Sequence, residues 1–192
     1  MGASSGAPTP RTLFREPPVI ETARLRLREF EAPDFDAHAA IMRAVFARGH
    51  LGPAMDREDK WRRIVSSVGM WRVVGFGGLI VERREDRRVI GNVGLFVAPR
   101  AMEPDFGGEP EMGWILDPEE HGKGYAEEAC RALLDWADAE VRQTIWAIID
   151  PANTPSHRLA GRLGFTKLQT SSYRDAPIDV YRRPAPRRRR CR

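Results

Sequence analysis

Residues 111–129 read EMGWILDPEEHGKGYAEEA. The apolar run at 111–117 has the length and composition of a strand. From Tyr125 to about Glu140 the periodicity becomes helical, with Ala126, Ala129, Cys130, Leu133, Leu134 and Ala137 facing inward. Between the two stand Gly122 and Gly124, with Lys123 separating them. The first turn of a helix has backbone N–H groups without internal partners, and these attract an anion. Glycines there remove side chains that would block close approach and permit positive φ. Lys123 adds charge at the rim. The segment therefore reads as strand, anion-holding turn and helix, with a phosphate or pyrophosphate as the ligand. On local sequence alone, a tight turn with no ligand is the alternative. Other phosphate loops fail on spacing. A Walker loop needs Ser or Thr after its GK pair and an earlier glycine at fixed distance; a Rossmann turn needs glycine at 127, where Glu127 stands.

Working outward, ETARLRLREF (21–30) alternates leucine with arginine, as a half-buried strand does. Pro33-Asp34 opens a helix to about Phe46, with Phe35, Ala39, Met42 and Phe46 sharing a face. Asp56 reads as the cap of a second helix, behind which Trp61, Ile64, Val65 and Val68 recur at helical spacing. Residues 72–82 and 88–97 are β-rich, and the polar RREDR between them suggests a hairpin. Residues 100–110 form a loop, and 144–150 a strand. Ser156 caps a short helix ending at Gly164, and 167–181 gives one or two strands. This order is α/β with a largely antiparallel sheet and one strand–helix–strand unit near its end.

The chain has 192 residues, enough for one domain, and its 42% hydrophobic and 30% charged content suits a globular protein. No apolar run approaches the roughly 18 residues of a membrane span. Residues 1–19 lack the apolar core of a signal peptide and read as a disordered leader. The net charge is +4, but residues 184–192 hold five arginines and no acid, so the remainder stands at −1. The high basicity is a tail, read as a solvated end; contact with RNA or another polyanion is the alternative. Two cysteines, Cys130 and Cys191, make no disulfide framework, so the cytoplasm is the expected compartment.

HGKGYAEEA, preceded by EMGWILDPE, resembles the acetyl-CoA-binding motif of the GNAT superfamily of N-acetyltransferases, Arg/Gln-x-x-Gly-x-Gly/Ala. Gly124 and Ala126 match, and His121 stands where Arg or Gln is usual. ETARLRLRE (21–29), GFGGLIVERREDRRVIGNVGL (75–95) and DPANTPSHRLAGRLGF (150–165) resemble the RimJ/RimL-type branch. The resemblance spans residues 20–183. It implies a GNAT fold: a mixed, mostly antiparallel sheet of about six or seven strands flanked by helices. It also implies a splayed strand pair that receives acetyl-CoA. Backbone groups at Ile115 and Leu116 are expected to pair with the pantetheine arm. The turn from His121 through Gly122, Lys123, Gly124, Tyr125 and Ala126 is expected to hold the pyrophosphate.

The resemblance further places Asn153 at the reactive end of the cofactor, an ordinary turn residue being the alternative. Ser156 has two compatible readings, helix cap and thiol contact. Many relatives carry a tyrosine seven positions after that asparagine; here Ala160 stands there, so the general acid is open, with Ser156 or water as candidates. Glu111 is the candidate base and Asp150 the reserve; a solvated strand end and a turn residue are their plainer readings. His38, His50, His121 and His157 have no metal-site spacing. Cys130 reads as core, His157 as a surface helix residue, and Trp71 and Phe76 as either acceptor lining or core. The expected activity is acetyl transfer to a primary amine: a protein N-terminus, a lysine or a small molecule. Segments 45–72 and 98–110 would choose it. Arg48, Arg57, Arg62 and Arg63 suit an acidic acceptor; Glu103, Asp105, Glu109 and Glu111 suit a cationic one and tip the expectation that way. The rival is a non-catalytic acyl-CoA-sensing module whose arginine tail contacts the ribosome or nucleic acid. A homodimer is compatible with either.

Overall fold

Eight strands form one sheet in the order β1-β2-β3-β4-β5-β6-β8-β7 in this computed structural model. It describes residues 16–49 and 55–186. Most of the expected leader, His50, the arginine run at 187–190 and Cys191 lie outside the described residues. The strands are β1 (Ile20–Glu21), β2 (Leu25–Arg28), β3 (Gly78–Arg83), β4 (Val89–Phe96), β5 (Glu111–Leu116), β6 (Ile145–Ile149), β7 (Thr166–Tyr173) and β8 (Ala176–Arg183). The helices are α1 (Phe35–Phe46), α2 (Arg57–Val73), α3 (Tyr125–Glu140) and α4 (Thr154–Arg162). The expected sheet of six or seven strands gains the two-residue β1, and the end of the chain takes the two-strand alternative, a full β7–β8 hairpin. Arg174 and Asp175, both at positive φ, make its turn.

All neighbouring strands are antiparallel except β5 and β6. That parallel pair shares a single register position, Glu111 opposite Trp146, with Trp146 N–H donating to the Pro110 carbonyl at 2.9 Å. Beyond it the two strands part, and β5 ends without a partner on its β6 side. The expected fork is therefore present, closed at Glu111 and open at Leu116.

Alternation along each strand sends Leu25, Leu27, Leu79, Val81, Val93, Met112 and Leu116 to one face. There they pack with Ala129, Cys130, Leu133 and Leu134 of α3 and with Leu159 and Ala160 of α4. Trp71 and Phe76 join this core at 0% and 5% exposure, which settles them as core and not acceptor lining. The opposite face carries α1, whose Ile41, Met42 and Phe46 pack on Ile115. α2 lies on that face too. Its N-cap is Asp56, whose side chain accepts from the Asp59 N–H at 2.7 Å.

Two expectations for α2 change. Trp61 and Val65 are 42% and 50% exposed, so the inward stripe is rotated onto Lys60, Ile64 and Trp71. The helix also runs to Val73, through the start of the expected strand. Trp71 holds it there by donating from Nε1 to the Gly78 carbonyl at 3.1 Å, and Ser67 Oγ accepts from the Gly78 N–H at 3.0 Å. Gly78, Gly94 and Gly113 stand side by side across β3, β4 and β5. A Cβ on Gly78 would sit 2.2 Å from Ser67 Oγ, so glycine is what lets α2 settle on the sheet.

Candidate active site

The turn from β5 to α3 takes the conformation that its glycines foreshadow. Gly122 and Gly124 have φ of +79° and +81°, a region most side chains avoid. Gly124 is the N-cap of α3, and no side chain caps that helix. Among the described residues, nothing accepts from the N–H groups of Gly122, Lys123, Gly124, Tyr125 or Ala126. Unpaired donors converging on a helix N-terminus fit a pyrophosphate. The residues present thus suit the diphosphate of coenzyme A.

Arg24, from the start of β2, pins this turn. It donates from Nη1 to the Lys123 carbonyl at 2.9 Å and from Nε to Glu128 at 2.6 Å, and it lies 4.5 Å over the Tyr125 ring. Thr22 donates to Glu128 at 2.6 Å. The segment 21–29 reads only as a strand in sequence; its anchoring of α3, about a hundred residues later in the chain, is visible only in three dimensions. Lys123 departs from expectation. Its Nζ donates to buried Glu120 at 2.9 Å, which Arg83 and Arg88 also contact, so its charge is drawn into an ion cluster.

β5 offers its free backbone edge at alternate residues. Asp117 N–H donates to the Ile90 carbonyl at 2.8 Å, and the β4–β5 register is regular. Hence Ile115, two residues before, turns its own N–H and carbonyl toward β4. The groups facing the fork belong to Met112, Trp114 and Leu116. His121 donates from Nε2 to the Leu116 carbonyl at 3.1 Å and so occupies one of them. Of the two expected residues, Ile115 therefore has its backbone groups on β4, whereas Leu116 has its own on the fork side, as does Trp114.

Glu111 sits at the closed end of the fork on the α1–α2 face, in register with Gly113 and Ile115. It is 2% exposed, which excludes a solvated strand end. Both its oxygens accept from Arg100, at 2.7 Å from Nε and 2.9 Å from Nη2. Burial pushes its carboxyl above the usual carboxylate range, against the opposing pull of Arg100 and Arg63. To take a proton it must first release a bond to Arg100. Arg100 in turn lies 4.6 Å over the Tyr173 ring. His38, on α1, is buried; its Nε2 pairs with Asn92 Oδ1 at 2.9 Å, and its Nδ1 has no partner.

Asn153 caps α4: its Oδ1 accepts from the Ser156 N–H at 3.2 Å. The expected capping role of Ser156 therefore passes to Asn153. Ser156 Oγ instead accepts from Trp114 Nε1 at 3.3 Å, which ties β5 to α4 across the fork. Ala160 is fully buried. His157 is half-buried, not a surface residue. It donates to the Pro151 carbonyl from Nε2 at 3.2 Å, so its Nδ1 accepts from the Tyr181 hydroxyl at 2.8 Å. Asp150 Oδ1 accepts from the Ala152 N–H at 2.7 Å, a turn-forming role. Cys130 is fully buried and its thiol is pushed far up by that burial, so it is no nucleophile. Among the described residues, no group of His, Cys, Asp and Glu could hold a metal.

These features, a forked parallel pair and an uncapped glycine turn, are those of an acyltransfer fold, and comparison with known proteins agrees. Residues 24–166 match the acetyltransferase (GNAT) domain family. The chain belongs to the GNAT family of acetyltransferases. An uncharacterised N-acetyltransferase of Bacillus subtilis, YjdG, is 27% identical over 156 residues, covering 77% of this chain and 89% of YjdG. A GNAT-family acetyltransferase structure from Bordetella pertussis superposes with a TM-score of 0.76 at 28% identity, over 86% of this chain and 99% of that one. RimL, a ribosomal L7/L12 α-N-protein acetyltransferase solved with coenzyme A, superposes at 0.71 over 88% and 98% of the two chains; at 14% identity it shares the fold alone. No described helix is long and apolar enough to cross a membrane.

Proposed function

We propose that this protein transfers the acetyl group of acetyl-CoA to a primary amine by direct attack in a ternary complex. The carrying observation is the row of unpaired N–H groups from Gly122 to Ala126, set at the open end of the β5–β6 fork. Acetyl-CoA supplies an activated thioester. The turn would hold its diphosphate, and the free backbone of Trp114 and Leu116 would hold its arm. Asn153 and Ser156, at the head of α4, would face its reactive end. On the other face, Glu111 is the carboxylate with a raised pKa suited to accept the amine's proton, one oxygen staying on Arg100 while the other works. Buried Ala160 leaves Ser156 or water to return a proton to the thiolate.

Motif similarity supports the RimJ/RimL-type branch, with a protein N-terminus as one acceptor class beside lysine and small amines, and the lack of a disulfide framework suits a cytoplasmic setting. The test is calorimetry with acetyl-CoA and desulfo-CoA, inorganic phosphate serving as control, followed by thiol release against an amine panel. Turnover of any amine supports the enzyme. Absence of coenzyme binding refutes the reading at the turn. Tight binding without turnover favours an acyl-CoA sensor, the reading to which Ala160 lends support.

A further inference from the structure

Charges on the α1–α2 face do not balance. Arg63 and Ser67 lie four apart on α2 and share a helix face. Ser67 rests on Gly78, which begins a glycine row that ends at Gly113, and Arg63 stands one helical turn before Ser67. At the far end of that row stands Glu111, two residues from Gly113 and on the same face. Arg63 interacts electrostatically with Arg100, Glu111 and His38. Although Arg63 is exposed to solvent, its guanidinium is held below the usual arginine value, by lost hydration first and by Arg100 second.

The acids nearest to this face have partners. Glu111 gives both oxygens to Arg100. Asp34 gives both to Arg28, at 2.7 and 2.8 Å. Asp36 pairs with Arg57 at 2.7 Å, and Glu58 with Arg62. On the 98–110 loop, Glu109 accepts from Trp146 Nε1 and Asp105 from the Gly107 N–H. Of the acids that favour a cationic acceptor in sequence, Glu111 has a guanidinium partner, Asp105 and Glu109 hold neutral N–H donors, and only Glu111 acts electrostatically on Arg63. Arg57 and Arg62 form ion pairs with carboxylates; Arg63 forms none among the described residues, and Glu111, which acts on it electrostatically, is held by Arg100. His38, its proton affinity lowered chiefly by burial, contributes no charge at neutral pH. Two guanidiniums facing one carboxylate leave a surplus positive charge, and a second guanidinium beside the first is costly unless an anion completes the set.

We propose that the acceptor carries a carboxylate beside its amine and that Arg63, next to the Glu111-held Arg100, receives it. This rests on the acetyltransferase reading. The chemistry is that of amino acids and short peptides with free carboxylates, in place of cationic amines.

The test uses the full chain and matched acceptors: glycine against glycinamide, β-alanine against β-alaninamide, a dipeptide against its amide, and phosphoethanolamine. Rates are corrected for the fraction of neutral amine. The acids should exceed their amides by about tenfold or more in kcat/KM, mainly through KM, as a charge-assisted pair would give. Arg63→Gln should erase the preference and Arg63→Lys retain part of it, while coenzyme A affinity stays constant and certifies the fold. Equal use of amides, or a preference that survives Arg63→Gln, overturns the proposal. So does failure of every acid to bind the enzyme–coenzyme A complex in calorimetry. A clear preference for phosphoethanolamine overturns the carboxylate in favour of a phosphate. Loss of coenzyme binding in the unaltered protein would instead overturn the acetyltransferase reading.

Discussion

Gly124→Val puts the anion turn under the most direct test. Gly124 has φ +81°, and an L-residue held there costs about 1–2 kcal/mol, with a β-branched side chain at the upper end. The added Cβ lies 3.4 Å from Arg24 Nη2, a movable group, so crowding is minor and backbone strain decides the outcome. Valine relaxes by rotating the 124 peptide away from the left-handed region. That swings N–H groups out of the converging set. One lost bond to a charged phosphate is worth about 1.5–3 kcal/mol, so the Kd and KM for acetyl-CoA should rise about ten- to a hundredfold. Calorimetry with coenzyme A reads this directly. Gly49→Ala is the control: it also has φ +81° and open space around its Cβ. It should lower Tm through similar strain and leave coenzyme affinity untouched. Unchanged affinity in folded Gly124→Val would refute the idea that the turn cradles a phosphate.

Other consequences are smaller in reach. Asn153→Ala should lower stability by about 1 kcal/mol, whereas Asn153→Asp, also a good cap, should leave Tm nearly unchanged; equal Tm in all three proteins would remove Asn153 as the cap. Glu111→Gln should depress kcat and leave coenzyme affinity intact. It should also destabilise by up to about 3 kcal/mol, because Arg100 loses its buried partner; a fully active variant excludes Glu111 as base. Burial opposes ionisation of Asp34 and Glu128, but hydrogen bonds from Arg28 to the first and from Thr22 and Arg24 to the second outweigh it and hold both below the usual carboxylate range. Their contribution to stability is complete above the unfolded carboxylate value of about 4 and disappears as pH falls through the folded values. A Tm that stays level below pH ~4 would contradict that linkage.

Much of this protein is legible in its sequence because the deciding signals are local. The 111–129 stretch specifies strand, turn and helix through apolar spacing and two glycines, and α3 begins at the expected Tyr125. Asp56 declares its cap in the same way. What sequence leaves open is what depends on distant partners. Asn153, not Ser156, caps α4, since capping turns on one side chain's aim. Trp61 and Val65 face water because Trp71, anchored on Gly78, sets the rotation of the whole helix. Register decides that Ile115 spends its backbone on β4, a matter of one residue's parity that composition does not carry. The charge proposed for the acceptor turns on the same point. Counting acids and arginines suggests a cationic guest. In the fold Arg100 takes both oxygens of Glu111, and on the proposed reading Arg63 is left for the guest's carboxylate, because local charge is set by which partners the fold brings within reach.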